Sequence, residues 1–231
     1  MLKCDNMAQF REKPRNGEKP LENVLRKERK EISSEELLRE YSIGYKYYKQ
    51  IKLIGKDLKK SDLPNLIIID SDLSNTNFEG SDLSGGIFNK SKLLRANFVG
   101  VKATECSFNN SNLSNAYMAY VDLSNSKVQG SILINTNLRQ ATCIKTDFSE
   151  SKIAESRFIN INASNGIFRN THFLNSDLDY TNFTGADLTN AVFENCNIDK
   201  TNFSRAKIEG AVVIKNNLSK PLAVYLSSLN K

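Results

Sequence analysis

One histidine, four cysteines and a scatter of carboxylates are the side chains of this 231-residue chain best suited to chemistry. His172 would need a nucleophile or a carboxylate beside it to act as a base or a metal ligand, and its near sequence offers no such constellation. Cys4 stands in the N-terminal tail, while Cys106, Cys143 and Cys196 match neither a CxxC nor a zinc spacing. The serines sit in no GxSxG elbow, and the chain has no GxGxxG or Walker-type phosphate loop. Asp72, Asn77, Asp82, Asn97, Asp122, Asp187 and Asn202 would bind metal only if the fold gathered them. They recur at multiples of five residues, which spreads them along a repeating structure instead. No catalytic, cofactor-binding or metal residue is therefore assigned, no cofactor is implied, and the chemistry expected is that of recognition.

The interval of five organises the whole stretch from Ile51 to Lys220. At positions ending in 3 or 8 from Leu53 to Leu218, 31 of 34 residues are Leu, Phe, Ile, Val or Met, the exceptions being Ala103, Cys143 and Ala163. Two residues before these centres, 27 of 34 are Ala, Ser, Thr, Cys or Gly. A helix wants apolar residues three and four apart and a strand two apart, so a strict five fits neither, and a repeat architecture remains. With both positions inward, large plugs and small fillers stack into one continuous core. Where the centre shrinks to Ala103 or Ala163 the filler grows to Val101 or Ile161, which roughly conserves volume. Cys106, Cys143 and Cys196 fall on inward positions and are read as small core fillers. Leu66 and Ile68 put two bulky residues together beside Pro64, and a distorted coil is expected there. Asp or Asn just before a centre can bond the turn backbone, and Gly80, Gly85, Asn115 and Gly185, two after it, tolerate tight corners.

Words such as SDLSN (71–75), SDLSG (81–85), TNFTG (181–185) and ADLTN (186–190) resemble the A(D/N)LxX units of the pentapeptide-repeat family, and the resemblance covers about 170 of 231 residues. It implies an all-β fold: a right-handed quadrilateral parallel β-helix, or solenoid, of about eight and a half coils with short terminal helices. At ~4.8 Å between adjacent strands the rod would be about 40 Å long. The words ELLREYSIGYKYYKQIKL are further similar to the lead-in of cyanobacterial members, where a helix precedes a Tyr or Phe at the first centre, here Tyr48.

The ends follow other rules. Residues 1–33 are read as a charged, partly disordered extension, with Leu21, Val24 and Leu25 spaced for a short helix. Ser33-Ser34-Glu35-Glu36 has capping-box spacing, Leu37, Leu38 and Tyr41 follow on one helical face, and Gly44 supplies a stop. Residues 34–50 are thus a capping helix and lead-in, 51–220 the β-helix, and 221–231 a C-terminal cap helix with Leu222, Tyr225, Leu226 and Leu229 on one face. The resemblance gives that last segment a second role, as a homodimer contact.

The formal charge of +6 divides evenly, +3 from residues 1–50 and +3 from the remainder, so no basic stripe marks a nucleic-acid surface. Met1–Lys13 has no apolar signal region and Leu66–Ile69 is far too short to span a membrane, so the cytoplasm is the expected compartment. The informative feature lies outside the core. Residues twenty apart share a face, and around Leu53, Leu73 and Leu93 the outward positions include Leu94, Ile132, Ile134, Leu174, Val192, Val212 and Ile214, with Lys92 and Lys152 among them. Other faces carry mostly Ser, Thr, Asn, Asp and Lys. Such an apolar patch marks a contact surface, open either to a partner or to the chain's own segment Leu21–Leu38 folding back. The function expected is a non-catalytic protein–protein interaction module, a regulatory scaffold presenting a rigid β-face to an unidentified protein partner, with no small-molecule substrate, nucleic acid or membrane. The alternative suggested by the resemblance is a DNA-mimic-type binder of DNA gyrase or another type II topoisomerase that confers inhibitor resistance. A mimic should be acidic, whereas this rod is slightly basic.

Overall fold

The computed structural model describes residues 31–215 and 218–229. From Tyr47 to Lys215 the chain winds as a right-handed quadrilateral β-helix of about eight turns. Each five-residue word supplies one extended side and one corner, so four words bring the chain back over its start. Asp57 consequently pairs in parallel with Asn77, Asn77 with Asn97, and so on along every face to Asp187 with Lys207.

Every centre from Leu53 to Ile198 is buried. The phenylalanines stack in columns: Phe88 on Phe108 at 5.3 Å and Phe148 on Phe168 at 5.2 Å, with Val128 between the two pairs. Val101 with Ala103 and Ile161 with Ala163 are equally buried, as compensating volumes require. The fillers also carry hydrogen bonds. The N–H groups of Ser71, Ser91, Ser111 and Ser131 each donate to the hydroxyl of the next serine in that column. The hydroxyls of Ser111, Ser131 and Ser151 in turn donate to the carbonyls of Phe88, Phe108 and Val128 at 2.7, 2.7 and 2.6 Å. A polar atom can be buried here at little cost because both its roles are filled.

Outside, Oδ1 of Asp72 accepts from the Ser74 N–H at 3.0 Å, and Asn77, Asp82, Asn97, Asp122, Asp187 and Asn202 close their turns in the same way. The corner residue takes a left-handed φ, at 60° in Asn115 but also at 56° in Arg95 and 61° in Tyr120. The coil at Leu66 and Ile68 is not distorted. Both side chains are fully buried, and Ile67 pairs in register with Ile87. The next filler in that column is Gly86, where an added Cβ would lie 2.8 Å from the Phe88 ring and 3.2 Å from the Leu66 carbonyl oxygen. The Phe88 ring takes the space that Gly86 leaves.

Helix α1 (Ser34–Ser42) opens on Ser33, whose hydroxyl accepts from the Glu36 N–H at 3.1 Å, and stops before Gly44, whose φ is 93°. Leu37 is fully buried and the Tyr41 hydroxyl donates to the Pro64 carbonyl at 2.8 Å, while Leu38 remains 38 % exposed. The first coil begins with β1 (Tyr47–Lys49) on β2 (Ile67–Ile69), and Tyr48 is buried at the first centre.

A six-stranded sheet occupies one face of the later coils: β3 (Ile132–Ile134), β4 (Lys152–Ala154), β5 (His172–Leu174), β6 (Val192–Glu194), β7 (Val212–Lys215) and β8 (Leu218–Pro221). The first five run parallel. The last differs from the sequence expectation of coils to Lys220, because β8 turns back antiparallel on β7, pairing Val212 with Pro221. Pro221 has no N–H to offer a further strand, which suits an edge. Helix α2 (Leu222–Leu229) follows, and Leu222 is fully buried.

Candidate docking face

The outward residues of β3–β7 form two columns in strict register. Before the centres stand Ile132, Lys152, His172, Val192 and Val212; after them stand Ile134, Ala154, Leu174, Glu194 and Ile214. Ile132 is 39 % exposed, and Ile134, Leu174, Val192, Val212 and Ile214 are half-buried. Leu94 belongs to the same face but stands apart, because Ser114 intervenes between it and Ile134. Nor is the strip purely apolar. Glu194 separates Leu174 from Ile214, and its carboxylate meets His172 Nε2 at 2.9 Å. In the sequence His172 stands alone, because its partner is twenty-two residues away and comes beside it only once the next coil is laid down.

Along this face the N–H groups of Thr136 and Ser156 donate to the hydroxyls of Ser156 and Ser176, at 3.0 and 3.1 Å, as those of the serine column do. Among the described residues, the N-terminal segment does not lie over the strip. Ile32 and Leu37 are buried in the core at the opposite end, where Ile32 N–H donates to the Lys52 carbonyl at 3.1 Å. The short helix expected around Leu21, Val24 and Leu25, and the disorder expected of the preceding residues, lie outside the described residues.

At the corner beside the strip runs a groove of about 280 Å³ that no single five-residue word reveals. Arg95, Asn115 and Asn135 line its corner side, Tyr117, Asn137 and Arg157 the next face, and buried Ala116 and Thr136 the floor. Asn135 Nδ2 donates to Asn115 Oδ1 at 2.8 Å, and Asn137 Oδ1 accepts from the Arg139 N–H at 3.1 Å. Arg95, Arg157 and Tyr117 are exposed, Tyr117 to 55 %, and neither guanidinium is ion-paired among the described residues. The signal was available in the sequence, but only by adding twenty repeatedly to a corner position and its neighbour at once.

Cys106, Cys143 and Cys196 are free thiols in the core. Burial pushes Cys106 up to about 12 and Cys196 up to about 11, and it raises Cys143 as well, which leaves all three as poor nucleophiles at neutral pH. Among the described residues, no group of His, Cys, Asp and Glu is placed to hold a metal ion, and no helix is long and apolar enough to cross a membrane.

A model of pentapeptide repeats matches eight copies in overlapping segments from 96–133 to 176–213, just over half of the chain. The chain belongs to the pentapeptide repeat family. Among solved members, HetL, a pentapeptide repeat protein involved in heterocyst differentiation regulation in the cyanobacterium Nostoc sp. strain PCC 7120, is 16 % identical over 82 % of this chain and 100 % of its own, with a TM-score of 0.43. QnrB1, a plasmid-mediated fluoroquinolone resistance protein, is 16 % identical over 80 % of this chain and 100 % of its own, with a TM-score of 0.32. A pentapeptide repeat protein of the Arabidopsis thaliana thylakoid lumen is 24 % identical over 48 % and 66 %, with a TM-score of 0.20. Likenesses this distant carry no argument about partners. No curated protein matches the chain.

Proposed function

We propose that this pentapeptide repeat protein is a non-catalytic interaction module, a regulatory scaffold that holds the β3–β7 face rigid for a protein partner. The observation that supports the reading is the apolar strip: Ile132, Ile134, Leu174, Val192, Val212 and Ile214 stand outward on four of five successive strands of a rod whose other outward positions are largely polar. At ~25 cal/mol per Å² of apolar surface, covering such a strip contributes several kcal/mol. The closed core beneath means that little ordering is required on binding. A non-catalytic role is supported by the unreactive thiols. Free core cysteines suit a reducing compartment, and we place the protein in the cytoplasm. For self-association we propose the C-terminal end, where α2 presents Val224, 53 % exposed. Affinity capture from host cells tests the main reading. Ile134→Asp with Leu174→Asp should abolish capture of the partner while thermal stability changes little, because both side chains point away from the core. Undiminished capture by this folded double variant would reject the face as the docking site.

A further inference from the structure

The groove beside the strip combines three features. Its two guanidiniums, Arg95 and Arg157, are exposed and without an ion pair among the described residues. Glu155 and Asp177, the acids nearest Arg157 in the register, pair with neither. Its walls between the arginines are amides, Asn115, Asn135 and Asn137, which offer both donors and acceptors at a spacing set by the coils. Its long axis follows the rod, for Arg95 lies at the corner of one coil and Arg157 three coils on. At ~4.8 Å per coil the two are about 14 Å apart along that axis, and an extended peptide covers about 13 Å in four residues. Tyr117 adds a flat exposed ring between them, and Tyr with Arg is the pairing that interfaces favour.

We propose that this groove binds an extended acidic segment of a protein partner, with carboxylates four residues apart held by Arg95 and Arg157. The proposal deepens the docking reading and rests on it for the adjoining strip, since Arg95 follows Leu94 and Asn135 follows Ile134 in the chain. Each guanidinium presents its planar fork to one carboxylate, and the amide walls hydrogen-bond the main chain between. A polynucleotide fits less well: it carries a phosphate on every nucleotide and calls for a continuous basic stripe, whereas between the arginines this groove is neutral.

The fold itself supplies conservative variants. Asn stands at 115 and 135 in the corner column of Arg95 and at 97 and 137 in the strand column of Arg157, so Arg95→Asn and Arg157→Asn place a residue that each column already accommodates. The φ of 56° at Arg95 is also one that Asn tolerates well. The test is an NMR titration of the full chain that follows the arginine Nε–Hε signals. The probe is a capped ten-residue Gly–Ser peptide carrying two glutamates four positions apart. Signals of Arg95 and Arg157 should move together on one saturation curve. Each single variant should weaken binding about threefold and the double variant about tenfold, and a peptide with adjacent glutamates should bind about as poorly as the double variant. Unmoved signals, full binding by the double variant, no preference for the four-residue spacing, or tighter binding of a ten-nucleotide oligothymidylate would each overturn the proposal. The two readings fail separately. Absence of peptide binding, with capture still lost in Ile134→Asp with Leu174→Asp, removes the groove alone. Peptide binding that obeys the spacing, with capture indifferent to those substitutions, supports the groove and removes the strip.

Discussion

The two halves of one face share a core and differ on the outside. In the earlier coils the outward residues are Lys52, Ile54, Asp72, Ser74, Lys92, Leu94, Asn112 and Ser114; in the later coils they are those of β3–β7. Beneath them the inward column runs from Leu53, Leu73, Leu93 and Leu113 in the earlier half to Leu133, Ile153, Phe173, Phe193 and Val213 in the later half, all buried. In the earlier half Asp72 and Asn112 accept from the N–H groups of Ser74 and Ser114, both at 3.0 Å, and the coils pair there through single bridges. In the later half that cap is missing and the backbone pairs over three consecutive residues per coil. Since the core tolerates either outer surface, the outer surface is free to serve binding. Stability should therefore depend on the inward columns and the ends, and recognition on the outward ones.

The largest effect should come from an end. Deleting residues 1–45 removes Leu37 and Tyr41 from the first coil and bares its backbone, so the truncated chain should aggregate, as read by size-exclusion chromatography with light scattering. A monodisperse truncated protein with an unchanged melting temperature would show that α1 serves another purpose. Next comes the core. Phe148→Ala should cost about 3–5 kcal/mol in urea denaturation, since the stacked Phe168 and edge-on Phe158 cannot close the hole in a column fixed by pairing on every side.

An acid titration separates the polar faces from the core. Asp82 is held at about 2 chiefly by its hydrogen bond from Ser84, with Lys102 adding to it. For Asp187 burial acts upward as the largest influence but is outweighed by Arg169 and Thr189, which bring it to about 2. Both lie below the ordinary Asp value of about 3.9. Their contribution is complete above that value and is lost as pH falls from about 4 to about 2, so unfolding free energy should drop over that window. In Arg169→Ala the drop should begin at higher pH, because Asp187 loses the partner that offsets its burial. An unchanged pH profile in that variant would contradict the assignment. The smallest effect on stability should be that of Ile134→Asp with Leu174→Asp, about 0.5 kcal/mol or less per site, as for other outward substitutions.

Legibility in the sequence follows the same division. The winding, the inward columns and the corners were readable because each is set inside one five-residue word: Phe148 must plug, Ser131 must be small, and Asn115 must turn. Interactions between coils were not. Glu194 finds His172 from twenty-two residues away, and Arg95 and Arg157 share a groove across sixty-two. The apolar residues of the strip were visible one by one, but the positions of Ser114 and Glu194 that divide it emerge only when the columns are aligned. The point where winding stops was also hidden, since Leu218 occupies a regular centre and nothing in its own word announces the reversal into β8.

The most direct test compares the halves of the face with matched charges. Ile54→Asp with Ser74→Asp places two carboxylates on the earlier half, and Ile134→Asp with Leu174→Asp places two on the later half, with neither pair touching the core. In quantitative affinity capture from host cells, with both variants first shown to melt within a few degrees of the wild type, the later pair should lose the partner and the earlier pair should retain it. Equal capture by both variants, or equal loss in both, would contradict the claim that the β3–β7 strip is where this protein is recognised.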